Sequence, residues 1–329
     1  MNDFLYLLDI LAVLASLAPA QNSLGAYNVD PDLVSISGFS SGGFMTVQLG
    51  VAYSDVFNVG FGVFAGGPYD CARDQNAFDK CMSNEIPSID IPIANMKAWS
   101  GNEIAEATNL MYRKVYMQTG SADVVIGSNV MGQLKDQLQK FTDPDNVIYV
   151  TTSGAAHTFP TDLNGHDDNP CDKSESPYLS NCGYDGAGAV LDWLYGALNP
   201  RNTGSLSGRV ISFSQTGLYG APGMDDTAYL YLPASCQSSS TVCKLHTVLH
   251  GCTQGYGMIG DKFVNNTGYK QWADTNDIII LFPQAVADNT VHKVWDGTPR
   301  NNSLGCWDWI GQYGNNTDQI GGELSFNYD

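Results

Sequence analysis

Three side-chain types, far apart along the 329-residue chain, could together perform nucleophilic acyl transfer. Ser40 sits in Gly38-Phe39-Ser40-Ser41-Gly42, a G-x-S-x-G pentapeptide between a β-branched run, "LVSIS", and an apolar run of helical spacing, "FMTVQLGV". Such a pentapeptide exposes the serine hydroxyl on a tight strand-to-helix turn that small residues make possible. In a chain with 35 glycines it is also, by itself, an ordinary Gly/Ser turn. The hydroxyl becomes a useful nucleophile only when a base takes its proton. Of the five histidines, His157 is placed best, in "SGAAHTFP" just beyond the apolar run "NVIYVTT". His166 lies in a polar loop, His246 inside an apolar run, and His292 has no clear assignment. Asp123, in "TGSADVVIG", comes between Ser40 and His157 in the chain and directly follows another apolar run. An aspartate there would accept from the imidazole and fix its tautomer; otherwise it reads as a helix cap or an Asx turn. The oxyanion of a tetrahedral intermediate needs preorganised N–H donors. The amide of Ser41 is one candidate, and that of Cys252, after "KLHTVLHG", is the other. His250 then shapes a loop and is not a base.

The elements that must position these groups follow from the apolar pattern. "LVSISGFS", "VGFGVFAGG", "RKVYMQTG" and "NVIYVTTSG" read as buried strands, with "FMTVQLGVAYSDV" and "GAGAVLDWLYGAL" as helices. After Pro200 the pattern changes: "GRVISFSQ" and "TAYLYLPAS" alternate as a hairpin would, and "KLHTVLHGC" and "DIIILFPQA" are buried strands with "GYKQWADTN" as the helix between them. Strand–helix alternation plus an antiparallel hairpin specifies an α/β three-layer sandwich with a mostly parallel sheet. In an ordinary α/β-hydrolase the hairpin comes first, then two parallel strands, then the nucleophile strand. Here the second half carries the opening strands, so the expected fold is a circularly permuted α/β-hydrolase, cut at a surface loop.

Composition restricts the partners and the compartment. The net charge of −19 and pI near 4.3 argue against nucleic acid, whose phosphates require clustered Lys and Arg, and against anionic membranes. Residues 1–20, "MNDFLYLLDILAVLASLAPA", read as a secretory signal ending in a small-residue cleavage site, although Asp9 interrupts the apolar run and no basic residue precedes it. Residues 21–329 are then one catalytic domain. Eight cysteines without a C-x-x-C pair favour disulfides over zinc. About 105 connectivities exist for eight cysteines. Spacing favours Cys71–Cys81, Cys171–Cys182 and Cys236–Cys243, each around a short polar loop, leaving Cys252–Cys306. N-x-S/T sequons at Asn265, Asn301 and Asn315 fit a secreted glycoprotein.

With these residues in place, the chain from about Tyr27 to Gly322 resembles the fungal single-domain extracellular poly(3-hydroxybutyrate) depolymerases. "SGFSSGGFM", "VFAGGPYDCAR", "HTFPTD", "YDGAGA", "LHGCTQ", "FPQA" and "GCWDWIG" carry the resemblance in order. It implies a Ser40–Asp123–His157 triad, an oxyanion hole from the amides of Ser41 and Cys252, the same four disulfides, and a polyester substrate, solid or oligomeric. Trp309, with Trp307 and Tyr313, is expected to bind that substrate; the tryptophans read equally as core residues. No metal or organic cofactor is expected, and the protein should act as a monomer outside the cell. The family continues after "DQIGG" with an amphipathic helix, whereas this chain reads "ELSFNYD", so that helix is expected to be missing or replaced. A secreted feruloyl or acetyl esterase of the same superfamily is the alternative activity, and an inactive truncated homologue the alternative outside catalysis.

Overall fold

A computed structural model describes residues 23–165, 168–217 and 220–314. The proposed leader, His166, the Asn315 sequon and the C-terminal tail lie outside the described residues.

The centre is an eight-stranded sheet. Its strands are β1 (Val29–Phe39), β2 (Gly60–Phe64), β3 (Lys114–Gly120), β4 (Val147–Thr152), β8 (Arg209–Ser214), β9 (Thr227–Leu232), β10 (Cys243–Leu249) and β11 (Ile278–Phe282). They lie in the order β4-β3-β2-β1-β10-β11-β9-β8. All neighbours are parallel except β11 with β9 and β9 with β8. The antiparallel hairpin therefore occupies one edge, and β1 occupies the middle, flanked by β2 and β10. Each run read as a strand from the sequence is a strand here. The order is the one obtained by placing the second half of the chain in front of the first, and is consistent with a circular permutation.

Helices cover both faces. Helix α1 (Ser41–Ala52) packs on the face bearing Phe61, because a Cβ at Gly50 would meet that ring at 2.5 Å. Helix α5 (Gly186–Tyr195) packs on the opposite face, where a Cβ at the next residue, Gly62, would meet Val190 at 2.2 Å. Successive strand residues point to opposite sides, so the two glycines mark the two interfaces. Helix α4 (Gly127–Leu138) lies beside α1, since a Cβ at Gly67 would meet both Phe44 and Val130, and α8 (Tyr269–Asn276) accompanies α5. The core between the layers, from Ile36 and Phe61 to Ile280 and Phe282, draws on both halves of the chain. Beneath it, buried His246 bonds Ser35 through Nδ1 (2.6 Å) and Ser37 through Nε2 (2.8 Å), and those hydroxyls meet Tyr195 and Tyr269.

The other helices and strands are mostly short. Helices α2 (Ala77–Lys80) and α3 (Asp90–Trp99) follow β2. Strands β5 (Phe159–Thr161), β6 (Asn169–Pro170) and β7 (Leu179–Asn181) form a parallel three-stranded sheet. Helices α6 (Tyr256–Ile259) and α7 (Lys262–Asn266) follow β10, and β12 (Asp288–Lys293) pairs with β13 (Pro299–Asn302). The four disulfides expected from spacing are all formed: Cys71–Cys81, Cys171–Cys182, Cys236–Cys243 and Cys252–Cys306.

Candidate active site

Ser40 occupies the junction between β1 and α1. Its φ of 57° lies in the left-handed region, a costly conformation for a side-chain-bearing residue that surrounding contacts must enforce. Its amide donates to the Phe64 carbonyl at the end of β2, at 2.9 Å. A Cβ at Gly42 would lie 2.4 Å from the carbonyl oxygens of Leu249 and His250. Glycine at 42 is thus what allows the end of β10, from the other half of the chain, to approach the serine turn.

His157 follows β4, and its Nε2 lies 2.9 Å from Ser40 Oγ. Its Nδ1 lies 2.9 Å from Asp123 Oδ2. The other carboxylate oxygen accepts from the amides of Val125 (2.9 Å) and Ile126 (3.0 Å). All three side chains are buried, with residue exposures of 8% for Ser40, 5% for His157 and 4% for Asp123. Burial alone would raise the Asp123 pKa, but the hydrogen bond and charge of His157 and the two amides hold it below the ordinary value. A carboxylate so held favours the Nδ1–H tautomer, which leaves Nε2 free to take the serine proton. One oxygen of Asp123 closes the Asx turn and the other meets the imidazole, so both expected contacts are present.

Ser41 and Cys252 line the same cavity as Ser40. Among the described residues neither amide is engaged in a hydrogen bond. Buried His250 shapes this loop: its Nε2 accepts from the Ala285 amide (3.0 Å), so its Nδ1–H donates to the Gly251 carbonyl (2.7 Å). A trans peptide is planar with C=O and N–H opposed, so the Cys252 N–H is turned away from His250. Burial pushes the His250 pKa down to about 4, and the bond to Gly251 opposes the shift. Gln254 completes the brace, accepting from the Gly251 amide (2.7 Å) and donating to the Pro177 carbonyl (2.9 Å).

The cavity above Ser40 holds about 650 Å³. Trp307 and Trp309 both line it and are only 4% and 5% exposed, so they are at once wall and core. Trp309 stacks on Phe44 of α1, with centroids 3.9 Å apart. Tyr313 does not line the cavity, contrary to expectation. The chain reverses at Gly311 (φ 71°), where a Cβ would strike the Trp295 indole, and this carries Tyr313 behind the wall, against Gly223 and His292. Several wall residues escaped the sequence reading, notably Phe78, Tyr178, Val291, Arg300 and Leu304. They come from short elements and loops whose sequences carry no clear periodicity; the one signal was an apolar residue, Phe78, inside the Cys71–Cys81 loop. Asn301 is exposed at the cavity rim. Asn265 is less available: its side chain bonds Asp261 and Lys270, and the Thr267 of its sequon is 1% exposed. His292 pairs with Asp288 at 3.1 Å.

A mostly parallel sheet carrying a buried Ser–His–Asp hydrogen-bond chain at its carboxyl end defines a serine hydrolase of the α/β-hydrolase type. No protein-family model matches the chain. It is 62% identical over 312 residues to a polyhydroxybutyrate depolymerase of Talaromyces funiculosus, across 95% of this chain and 92% of that protein. A crystal structure of a PHB depolymerase from Penicillium funiculosum superposes with a TM-score of 0.89 at 63% identity, covering 92% of this chain and 94% of the other. A serine-to-alanine PHB depolymerase complexed with an R3HB trimer superposes with a TM-score of 0.90 at the same identity and coverage. The chain belongs to the polyhydroxybutyrate depolymerase family.

Proposed function

We propose that the protein hydrolyses poly(3-hydroxybutyrate)-type polyesters through an acyl-enzyme, with Ser40 as nucleophile, His157 as general base and acid, and Asp123 as the group that orients it. The observation that carries this reading is the unbroken Ser40–His157–Asp123 hydrogen-bond chain on the floor of an apolar-walled cavity. As Ser40 Oγ attacks the ester carbonyl, its proton passes to His157 Nε2. The carbonyl oxygen gains the negative charge and receives the amides of Ser41 and Cys252. Collapse expels the alkoxide of the leaving hydroxyacyl unit, which takes the proton from Nε2. Water then attacks the acyl-serine, gives a proton to Nε2, and Ser40 leaves as the hydroxyl with a free carboxylic acid as product. No step needs a metal or cofactor.

Trp307 and Trp309 offer a flat apolar wall to a chain of alternating alkyl and carbonyl groups. Phe78, Val291 and Leu304 line the cavity and remain exposed, which suits adsorption on a solid. The four disulfides support an oxidising, extracellular compartment, and the shared core of both halves supports one catalytic domain. Ser40→Ala tests the assignment: hydrolysis of a soluble short-chain ester and clearing of a polyester suspension should both vanish while the melting temperature stays within a degree or two. Retained hydrolysis would refute the role of Ser40. Ferulate release by the wild type, without clearing of polyester, would assign the site to feruloyl esters instead.

A further inference from the structure

The wall tryptophans are separated by an acid that the hydrolytic chemistry does not use. Asp308 stands between Trp307 and Trp309 in the segment that Cys306 ties to the Cys252 loop. The two indoles line the substrate cavity, whereas Asp308 lines a small pocket behind it together with Tyr313. Its Oδ1 accepts from the Gln312 amide at 2.7 Å and its Oδ2 from the Tyr313 amide at 2.9 Å, with the Ile310 and Gly311 amides also turned towards it. Among the described residues no cation is paired with this carboxylate. Its charge is met by backbone N–H dipoles, an arrangement that fixes the turn they belong to. Asp308 as a residue keeps some exposure, but its carboxyl is enclosed by the turn; burial raises its pKa and the amides oppose the shift.

That turn determines where the indoles stand. The Trp309 amide donates to the Trp307 carbonyl at 3.0 Å, so the two residues are locked to one another around Asp308. The Trp307 amide approaches Ser41 Oγ at 3.4 Å, and Trp309 stacks on Phe44, so the locked pair abuts the residue next to the nucleophile. Polar groups that close a turn from behind hold an apolar wall in one position without touching the ligand.

We propose that Asp308 is a positioning residue for substrate: by gathering the 310–313 amides it holds Trp307 and Trp309 in the orientation that receives the repeating units of a polyester chain. This rests on the esterase reading of the cavity. Two conservative variants perturb the turn differently: Asp308→Asn removes the charge and sets amide N–H groups against one another, and Asp308→Glu keeps the charge but displaces it by one methylene. Both should hydrolyse p-nitrophenyl acetate, whose acyl group is too short to reach along the wall, within about twofold of the wild-type kcat/KM. Both should raise KM for a linear 3-hydroxybutyrate trimer tenfold or more, with kcat little changed. In a Ser40→Ala background, calorimetric titration with the trimer should show the same loss of affinity. The loss should not add to that of Trp309→Phe, because Asp308 acts through that ring. Unchanged trimer affinity, equal loss on both esters, or full additivity with Trp309→Phe overturns the proposal. If Asp308→Asn does not melt cooperatively, Asp308→Glu carries the same comparison. A wild type inactive on every ester overturns the function proposed above, while the titration still measures the effect of Asp308.

Discussion

The two halves of the chain build opposite sides of one cleft by different means. The first half supplies Ser40, Asp123 and His157, each within a few residues of the end of a parallel strand of the central sheet, where ladder hydrogen bonds leave little freedom. The second half supplies the Cys252 loop and the 306–312 wall, which have almost no regular structure. A disulfide, a histidine brace, an amide-lined carboxylate and the contacts of Arg300 with Phe78 and Arg73 with Trp295 hold them instead. Reacting groups must be placed within a fraction of an ångström, and strands do that best. Walls that fit a particular acyl chain can differ without disturbing the sheet, and irregular segments permit it.

Four experiments test whether the two halves differ in this way. The largest effect belongs to the first half: Asp123→Asn should leave the fold intact but lower kcat on a soluble ester by about 10⁴, roughly 5 kcal/mol, because the imidazole loses its tautomer. A loss under tenfold would show that the strand-borne acid is dispensable. Next, replacing Cys252 and Cys306 together by Ser removes a bridge spanning 54 residues. It should cost about 4 kcal/mol in denaturant unfolding and reduce turnover through the loosened loop; unchanged stability would mean that the braces alone hold the wall.

Acid should act on the second half through two buried histidines, one in β10 and one just beyond it. Burial lowers the pKa of His246 to about 3 and of His250 to about 4, so the folded chain resists protons that the unfolded chain binds from about pH 6.5 downwards. Their stabilising effect is complete above pH 6.5 and declines towards pH 3–4, by about 2 kcal/mol for each histidine at pH 5. The melting temperature should therefore drop steadily from pH 7 to pH 4, and a flat profile would contradict this. The smallest effect is at the rim. Arg300→Ala removes a guanidinium 3.8 Å from the Phe78 centroid and should cost about 0.5–1 kcal/mol in thermal unfolding, with short-ester turnover unchanged. A larger loss would show the rim to be part of the core fold.

Residues 3.6 or 2 positions apart share a face, so local pattern sufficed to place all eight strands of the central sheet and the serine turn. Order along the chain pointed to Asp123 and His157, because each follows an apolar run that was legible as a strand. Tyr313 shows where such reading ends. It stands four residues from Trp309 in the same aromatic segment, yet a single glycine reversal at 311 sends it behind the wall. Asp308, likewise, looks like a surface acid until the turn closes around it. Phe78 and Arg300 meet only because the short helix α2 and the short strand β13, more than two hundred residues apart, fold to the same rim.

The strands of the sheet, the order along the chain of the proposed nucleophile, acid and base, and three of the four cysteine pairs were legible in the sequence, because strands follow from periodicity, those pairs from short spacing, and the fourth pair from what remained. Which aromatics face the cavity, which carboxylate is enclosed by amides, and how closely β10 approaches the serine turn were not legible there. Those depend on backbone reversals and on packing between segments distant in the chain, where no local pattern records which partner a side chain will meet.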